Sequence, residues 1–288
     1  MGDGPEGGDG EGGRAAVIGG GTMGAGIAQV LLEAGCEVVV VEADAEAAER
    51  ARARIGDGLR RRKGVDPAEV DARFGRLSTA TGLEEPLDVE LVVEAIPEIP
   101  AAKRDLLAAA EKVVSPGALL ASNTSSLSIT DLAGALERPE RFLGMHFFNP
   151  VPLSALVELV VGQGTAAGAV DDARRWVARL GKESIEVRDS PGFATSRLGV
   201  CLGLEAIRML EEGVATAADI DSGMVLGYRH PMGPLRLTDL VGLDVRLAIA
   251  EHLSATLGPR FEPPALLRDK VAAGELGQKS GRGFYDWS

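Results

Sequence analysis

An α/β domain with a largely parallel sheet, followed by an all-α domain, is the fold class that the sequence predicts, and three observations predict it. Residues 17–42 run as an apolar strand, a glycine-rich turn, an amphipathic helix stopped at Gly35, and a second apolar strand ending in Glu42. From there to about residue 188, apolar runs of strand length alternate with helical ones, the pattern of parallel strands joined by crossover helices. At Asp189-Ser190-Pro191-Gly192 the alternation stops, and everything after it carries helical spacing.

The first turn, Gly19-Gly20-Gly21-Thr22-Met23-Gly24, makes the opening domain Rossmann-type. Gly19 permits the tight strand-to-helix turn, Gly21 lets backbone N–H groups approach a pyrophosphate, and Gly24 lets the helix pack closely on the sheet. The helix N-terminus adds N–H donors and a positive dipole end. Glu42, at the tip of the next strand, stands where a carboxylate accepts hydrogen bonds from the adenosine ribose. A glycine-rich turn in an ordinary α/β protein has no need of that acid. The expected cofactor is NAD and not NADP. A 2′-phosphate needs a cation just past the second strand, and here the chain reads Glu42-Ala43-Asp44-Ala45-Glu46, with the first base, Arg50, well into the next helix.

Asp44 is the N-cap of that helix, which runs to the cluster Arg60-Arg61-Arg62-Lys63 and ends at Gly64. Asp66-Pro67 opens a second helix. The pair is longer than a plain crossover, so it is expected to project from the domain. Strands follow at 89–95, 118–122, 142–148, 156–161 and 184–187, with helices at 101–114 and 170–180. Beyond the linker, a long helix covers 193–212 and stops at Gly213. Thr216-Ala217-Ala218-Asp219 reads as a capping box, Pro231 and Pro234 mark a turn, and helices cover 235–257 and 265–273. The acidic, glycine-rich opening, residues 1–13, reads as a disordered tail. The domains are then 14–188, with a helical extension, and 189–288.

Composition excludes several classes. Thirty basic against 43 acidic residues give a net charge of −13, which argues against a nucleic-acid surface. No apolar run has the length of a membrane span, and no cationic, apolar N-terminus marks a secretory signal. Cys36 and Cys201 show neither disulfide nor metal spacing and are expected to be buried thiols of a cytoplasmic protein.

The polar residues expected to carry chemistry follow two apolar strands, at the carboxyl edge where open α/β sheets bind ligands. They are Ser122-Asn123-Thr124-Ser125-Ser126 and His146-Phe147-Phe148-Asn149-Pro150. His146, among Met145, Phe147 and Phe148, sits in surroundings that resist charging, as a general base requires. Glu158 is a lone carboxylate in an otherwise apolar strand and needs a partner. A Glu that holds one imidazole nitrogen leaves the other to take a proton. A lone His or strand Glu is more often structural; the pair beside a dinucleotide site favours catalysis.

These motifs resemble the L-3-hydroxyacyl-CoA dehydrogenase family, in its short single-function form. The resemblance runs from about Arg14 to Trp287 through GGGTMGAGIAQV, VVEAIPE, ASNTSSLSI, HFFNPVP, DSPGF, HPMGP, DLVGLD and GQKSGRGFY. It implies NAD, a 3-hydroxyacyl-CoA substrate, and a homodimer built through the helical domain. It also implies His146 as base and Glu158 as its partner, with Ser125 at the substrate hydroxyl and the nicotinamide side, and Asn149 near substrate and cofactor. Glu98, Lys103 and Lys279 match cofactor contacts. Arg62 and Lys63 fall where the family touches CoA, although basic residues also suit a helix C-terminus. One position departs: Ser196 stands after Pro191-Gly192-Phe193 where the family has an Asn that helps hold the acyl carbonyl. That puts substrate choice in question. Rival readings are a dehydrogenase for a related 3-hydroxyacid, a dicarboxylic acyl-CoA or a carrier-protein-bound substrate, and a non-catalytic dinucleotide-binding protein, against which the set Ser125, His146, Asn149 and Glu158 argues.

Overall fold

The computed structural model describes residues 12–288, so most of the expected tail lies outside the described residues. The chain divides after Asp189 into two compact units. In chain order the first holds β1 (Arg14–Ile18), α1 (Thr22–Glu33), β2 (Glu37–Glu42), α2 (Ala45–Arg60), α3 (Pro67–Phe74), β3 (Leu77–Thr81) and β4 (Leu91–Glu94). It continues with α4 (Pro100–Val113), β5 (Leu119–Ser122), α5 (Ile129–Ala133), β6 (Phe142–Phe147), β7 (Leu156–Val161), α6 (Ala167–Arg179) and β8 (Glu183–Arg188).

The eight strands form one sheet in the order β3-β2-β1-β4-β5-β6-β7-β8. Every pairing is parallel except β6 with β7, which is antiparallel. The order reverses between β1 and β4, and such a switch point opens a crevice beyond the carboxyl ends of the strands. Ala16, Val17, Val40, Val92 and Leu119 are fully buried, as expected of strands covered on both faces. Asp44 and Asp66 cap α2 and α3 by accepting from Ala47 N and Ala68 N, both at 2.8 Å.

Two expectations are corrected here. The helical pair does not project: Ala51, Ile55 and Leu59 of α2 and Val70 of α3 are buried in the same core as β1 and β2. The pair is the crossover to β3, a strand that the sequence reading did not anticipate. Cys36 is buried as expected, but Cys201 is exposed.

The second unit is helical: α7 (Thr195–Glu211), α8 (Ala217–Ser222), α9 (Pro234–Val241), α10 (Leu243–Leu257) and α11 (Ala265–Ala272). The helix expected over 235–257 is broken at Gly242, whose φ of 102° lies outside helical space. Val200, Leu204, Ile207, Leu235, Leu253 and Leu267 form its core. Two buried carboxylates tie the C-terminal segment down. Asp239 accepts from Phe284 N, Tyr285 N and Trp287 Nε1 at 2.8–2.9 Å. Asp221 accepts from Leu235 N, Arg236 N and the Tyr285 hydroxyl. Burial, then the bond to Asp221, pushes the Tyr285 phenol well above its ordinary pKa. No helix among the described residues is long and apolar enough to cross a membrane.

Candidate active site

The carboxyl edge of the sheet gathers the polar segments of the first unit. At the switch point, Gly19 has φ +95°, and a Cβ there would lie 2.9 Å from Ala95 O. A Cβ on Gly24 would lie 1.7 Å from Gly19 O, so helix and turn touch backbone to backbone. At Gly21 a Cβ would meet nothing within 4 Å. Gly21 is also the N-cap of α1 and supplies no side-chain cap, which leaves the first N–H groups of Thr22, Met23 and their neighbours for a ligand. Glu42 Oε1 accepts from Gly20 N at 2.6 Å, and a carboxylate retains further lone pairs for ribose hydroxyls. Glycine cradle, open helix end and strand-tip acid together fit a dinucleotide. Arg54 was not anticipated; its Nη1 donates to Gly20 O at 2.8 Å, which sets a cation beside the same turn. Arg50 pairs with Glu46.

Next along the edge lies a buried ionic network. Glu94, at the end of β4, is fully buried and accepts from Ile96 N at 2.7 Å, Ser122 Oγ at 2.6 Å and Lys103 Nζ at 2.6 Å. Lys103, 1% exposed, also donates to Ile96 O at 3.0 Å and meets Glu98 Oε2 at 3.1 Å. Three acceptors exhaust an ammonium's three protons. Lys103 therefore holds Glu98 from within the unit. Glu98 Oε1 in turn accepts from Thr124 Oγ1 at 2.5 Å and Ser125 N at 3.0 Å, fixing the loop after β5. Burial alone would raise the Glu98 pKa. Lys103 and the bonds from Thr124 and Ser125 outweigh it and hold the carboxyl below the usual carboxylate range. The sequence reading missed Glu94, although it carries the signal that identified Glu158, a lone acid in an apolar strand.

His146 and Glu158 face each other directly across the antiparallel β6–β7 pair. Residues opposite one another project from the same face of a sheet, and His146 Nδ1 lies 2.9 Å from Glu158 Oε2. Glu158 is fully buried and His146 nearly so, with the Phe148 ring 4.5 Å from the imidazole. Asn123 Oδ1 accepts from Phe147 N at 2.9 Å, locking the end of β5 to the end of β6. Ser125 is half-buried, and Asn149 is exposed with a cis bond to Pro150. Lys182 donates to Val151 O at 2.7 Å and Ser154 O at 2.5 Å, which pins the loop beyond Asn149.

The remaining expected residues belong to other segments of the chain. Arg62 forms a two-pronged bond to Glu33, both arms 3.0 Å, so its charge is already matched. Lys63 is exposed beside it. In the second unit, Lys279 pairs with Asp244 at 2.6 Å, and Ser196 is half-buried in the first turn of α7.

A dinucleotide cradle and a buried His–Glu pair on one sheet edge define a nucleotide-dependent α/β protein equipped for proton transfer. Residues 14–190 match the NAD binding domain of 3-hydroxyacyl-CoA dehydrogenase, and residues 192–287 match that enzyme's C-terminal domain. The chain belongs to the 3-hydroxyacyl-CoA dehydrogenase family, a family of NAD-dependent oxidoreductases. It is 44% identical to a probable 3-hydroxybutyryl-CoA dehydrogenase of Bacillus subtilis over 94% of this chain and 96% of that one. Against the mitochondrial hydroxyacyl-coenzyme A dehydrogenase of Sus scrofa it is 39% identical, over 94% and 90%. The crystal structure of (S)-3-hydroxybutyryl-CoA dehydrogenase from Ralstonia eutropha superposes with a TM-score of 0.90 at 39% identity, covering 96% of this chain and 99% of that one.

Proposed function

We propose that the protein interconverts short-chain L-3-hydroxyacyl-CoA thioesters, such as L-3-hydroxybutyryl-CoA, and their 3-keto forms with NAD, and that His146 moves the proton. The observation that carries this reading is the buried 2.9 Å contact between His146 and Glu158. Glu158 accepts a hydrogen bond from Nδ1–H, which leaves Nε2 as the basic nitrogen. In oxidation Nε2 takes the proton of the C3 hydroxyl; in reduction the imidazolium returns it to the C3 oxygen. Glu158 stabilises the imidazolium and fixes the ring. The Ser125 hydroxyl bonds the reacting oxygen, and Asn149 orients substrate and carboxamide. Glu42 and Glu98 receive ribose hydroxyls, with Lys103 acting through Glu98. NAD, when bound, supplies the hydride acceptor. Reduction of acetoacetyl-CoA with NADH, followed by absorbance, tests the reading. Turnover supports it, and no turnover at saturating NADH overturns it.

The protein acts in the cytoplasm, in fatty-acid β-oxidation chemistry, as a homodimer through its helical unit. Exposed Leu198, Leu226 and Tyr228, 70%, 80% and 76% accessible, support self-association, and two free thiols suit a reducing compartment. Sedimentation equilibrium tests it by giving twice the chain mass.

Glu42 sets cofactor choice. Glu42→Ser removes the charge that repels a 2′-phosphate and leaves Arg54 beside the turn. The ratio of kcat/KM with NADPH to that with NADH should rise about tenfold or more, since facing like charges cost several kcal/mol. An unchanged ratio contradicts the assignment of Glu42 to the ribose.

A further inference from the structure

The first unit holds a cavity of about 270 Å³ away from its polar edge, walled by residues that include Glu90, Arg141, Asp172, Arg175, Trp176 and Arg179. Glu90 immediately precedes β4 and Arg141 immediately precedes β6, while the other four lie on α6. Strands β4, β5 and β6 run parallel, so the cavity stands at the amino edge of the sheet. Glu94, Ser122 and His146 stand at the carboxyl edge. At about 3.3 Å per residue, the five steps from Arg141 to His146 span roughly 16 Å.

In a chain with a net charge of −13, three guanidiniums meeting in one cavity stand out. Arg141, Arg175 and Arg179 share the walls with two carboxylates, Glu90 and Asp172, which leaves one positive charge over. Asp172 is divided between two of the three: it meets Arg141 Nη2 at 2.7 Å and also pairs with Arg175. Arg141 donates as well to Gly117 O at 2.7 Å, and its Nε is buried with no hydrogen-bond partner among the described residues. Arg179 lies over the Trp176 ring, 5.0 Å from the centroid, and bonds the Cys36 thiol. Burial pushes that thiol up, so it stays neutral and offsets no charge. A guanidinium presents a planar fork of donors that matches carboxylate and phosphate oxygens. A water takes about 30 Å³ of liquid, so the volume suits an anion of roughly nine non-hydrogen atoms.

We propose that this cavity binds a small oxyanion with two acidic groups, a diphosphate or a short dicarboxylate, at a site separate from the nucleotide cradle. The occupant bridges the start of β6, through Arg141, to α6, through Arg175 and Arg179. Such a site is independent of the dehydrogenase reaction and goes beyond it.

Pyrophosphate and succinate are the probes. Each is titrated by calorimetry into the full-length protein at low salt, where charge pairing is least screened. NADH and acetyl-CoA are present at saturation, so that both nucleotide sites are filled. At least one probe should bind saturably with a Kd of about 1 mM or below. Binding of pyrophosphate alone assigns the site to phosphate chemistry, and binding of succinate alone to carboxylate chemistry. Arg175→Gln and Arg179→Gln should each weaken binding about fivefold or more, since each removes a charged fork. Asp172→Asn should tighten it, because two guanidiniums lose the carboxylate that now competes for them. No saturable binding of either probe overturns the proposal, as does an affinity unchanged in either arginine variant or lowered in Asp172→Asn. Inhibition of the wild type that is competitive with NADH or acetoacetyl-CoA also overturns it, since the anion would then sit at the carboxyl edge.

Discussion

His146→Gln lowers kcat for acetoacetyl-CoA reduction by about 10²–10⁴-fold, the usual contribution of a positioned acid or base, while NADH affinity stays within about twofold. Glutamine nearly matches imidazole in reach and can still donate an N–H to Glu158, so the β6–β7 pair keeps its contact. It has no group that takes or gives a proton near neutral pH. Cofactor binding is spared because the cradle lies on β1, α1 and β2, not on β6. Steady-state kinetics and fluorescence titration of NADH measure the two quantities. A near-normal kcat would remove His146 from the mechanism.

Lys103→Met carries the largest expected loss of stability. The ammonium is the only buried cation that Glu94 touches among the described contacts, and Glu94 is fully buried. Removing one partner of a buried ion pair typically costs about 3–5 kcal/mol, because the other charge is left uncompensated. The change also reaches function, since Lys103 holds Glu98 and Glu98 holds Thr124 and Ser125. A pH dependence follows. The folded Glu98 carboxyl lies below its ordinary pKa, so the stability it contributes is present above the usual carboxylate range. That stability is lost as pH falls through the depressed value. In Lys103→Met the depression shrinks, so Glu98 should contribute a smaller loss of stability on acidification than in the wild type. Urea unfolding between about pH 7 and about pH 4 reads both effects. A loss of under about 1 kcal/mol at neutral pH would show that the network carries little.

The turn from Gly19 to Gly24 was legible because each of its constraints is local: a positive φ, a backbone contact and an uncapped helix end leave marks within a few residues. The His146–Glu158 pair was legible for a different reason. An acid alone in an apolar strand demands a partner, and one histidine lay on the neighbouring strand. The same argument applies to Glu94, the acid that closes the apolar run Leu91-Val92-Val93-Glu94. β3 escaped notice because LSTAT is polar and mostly unburied, as an edge strand is. The break at Gly242 was hidden by apolar spacing that runs unbroken across it. Arg54 was out of reach altogether, since the contact that gives it meaning, to Gly20, spans 34 positions of chain. The partners of Lys103 were not legible either, since the buried Glu94 that accepts from its ammonium stands on a separate element, β4.

The central claim is that His146 and Glu158 act as one proton-transfer unit. A double-mutant cycle on kcat for acetoacetyl-CoA reduction, with His146→Gln, Glu158→Gln and the two combined, tests it most directly. Once the imidazole is gone, Glu158 has no imidazolium to stabilise, so the double variant should be no slower than His146→Gln by more than about twofold. A double variant slowed by the full product of the two single losses would mean that the residues act independently, and the account would be wrong.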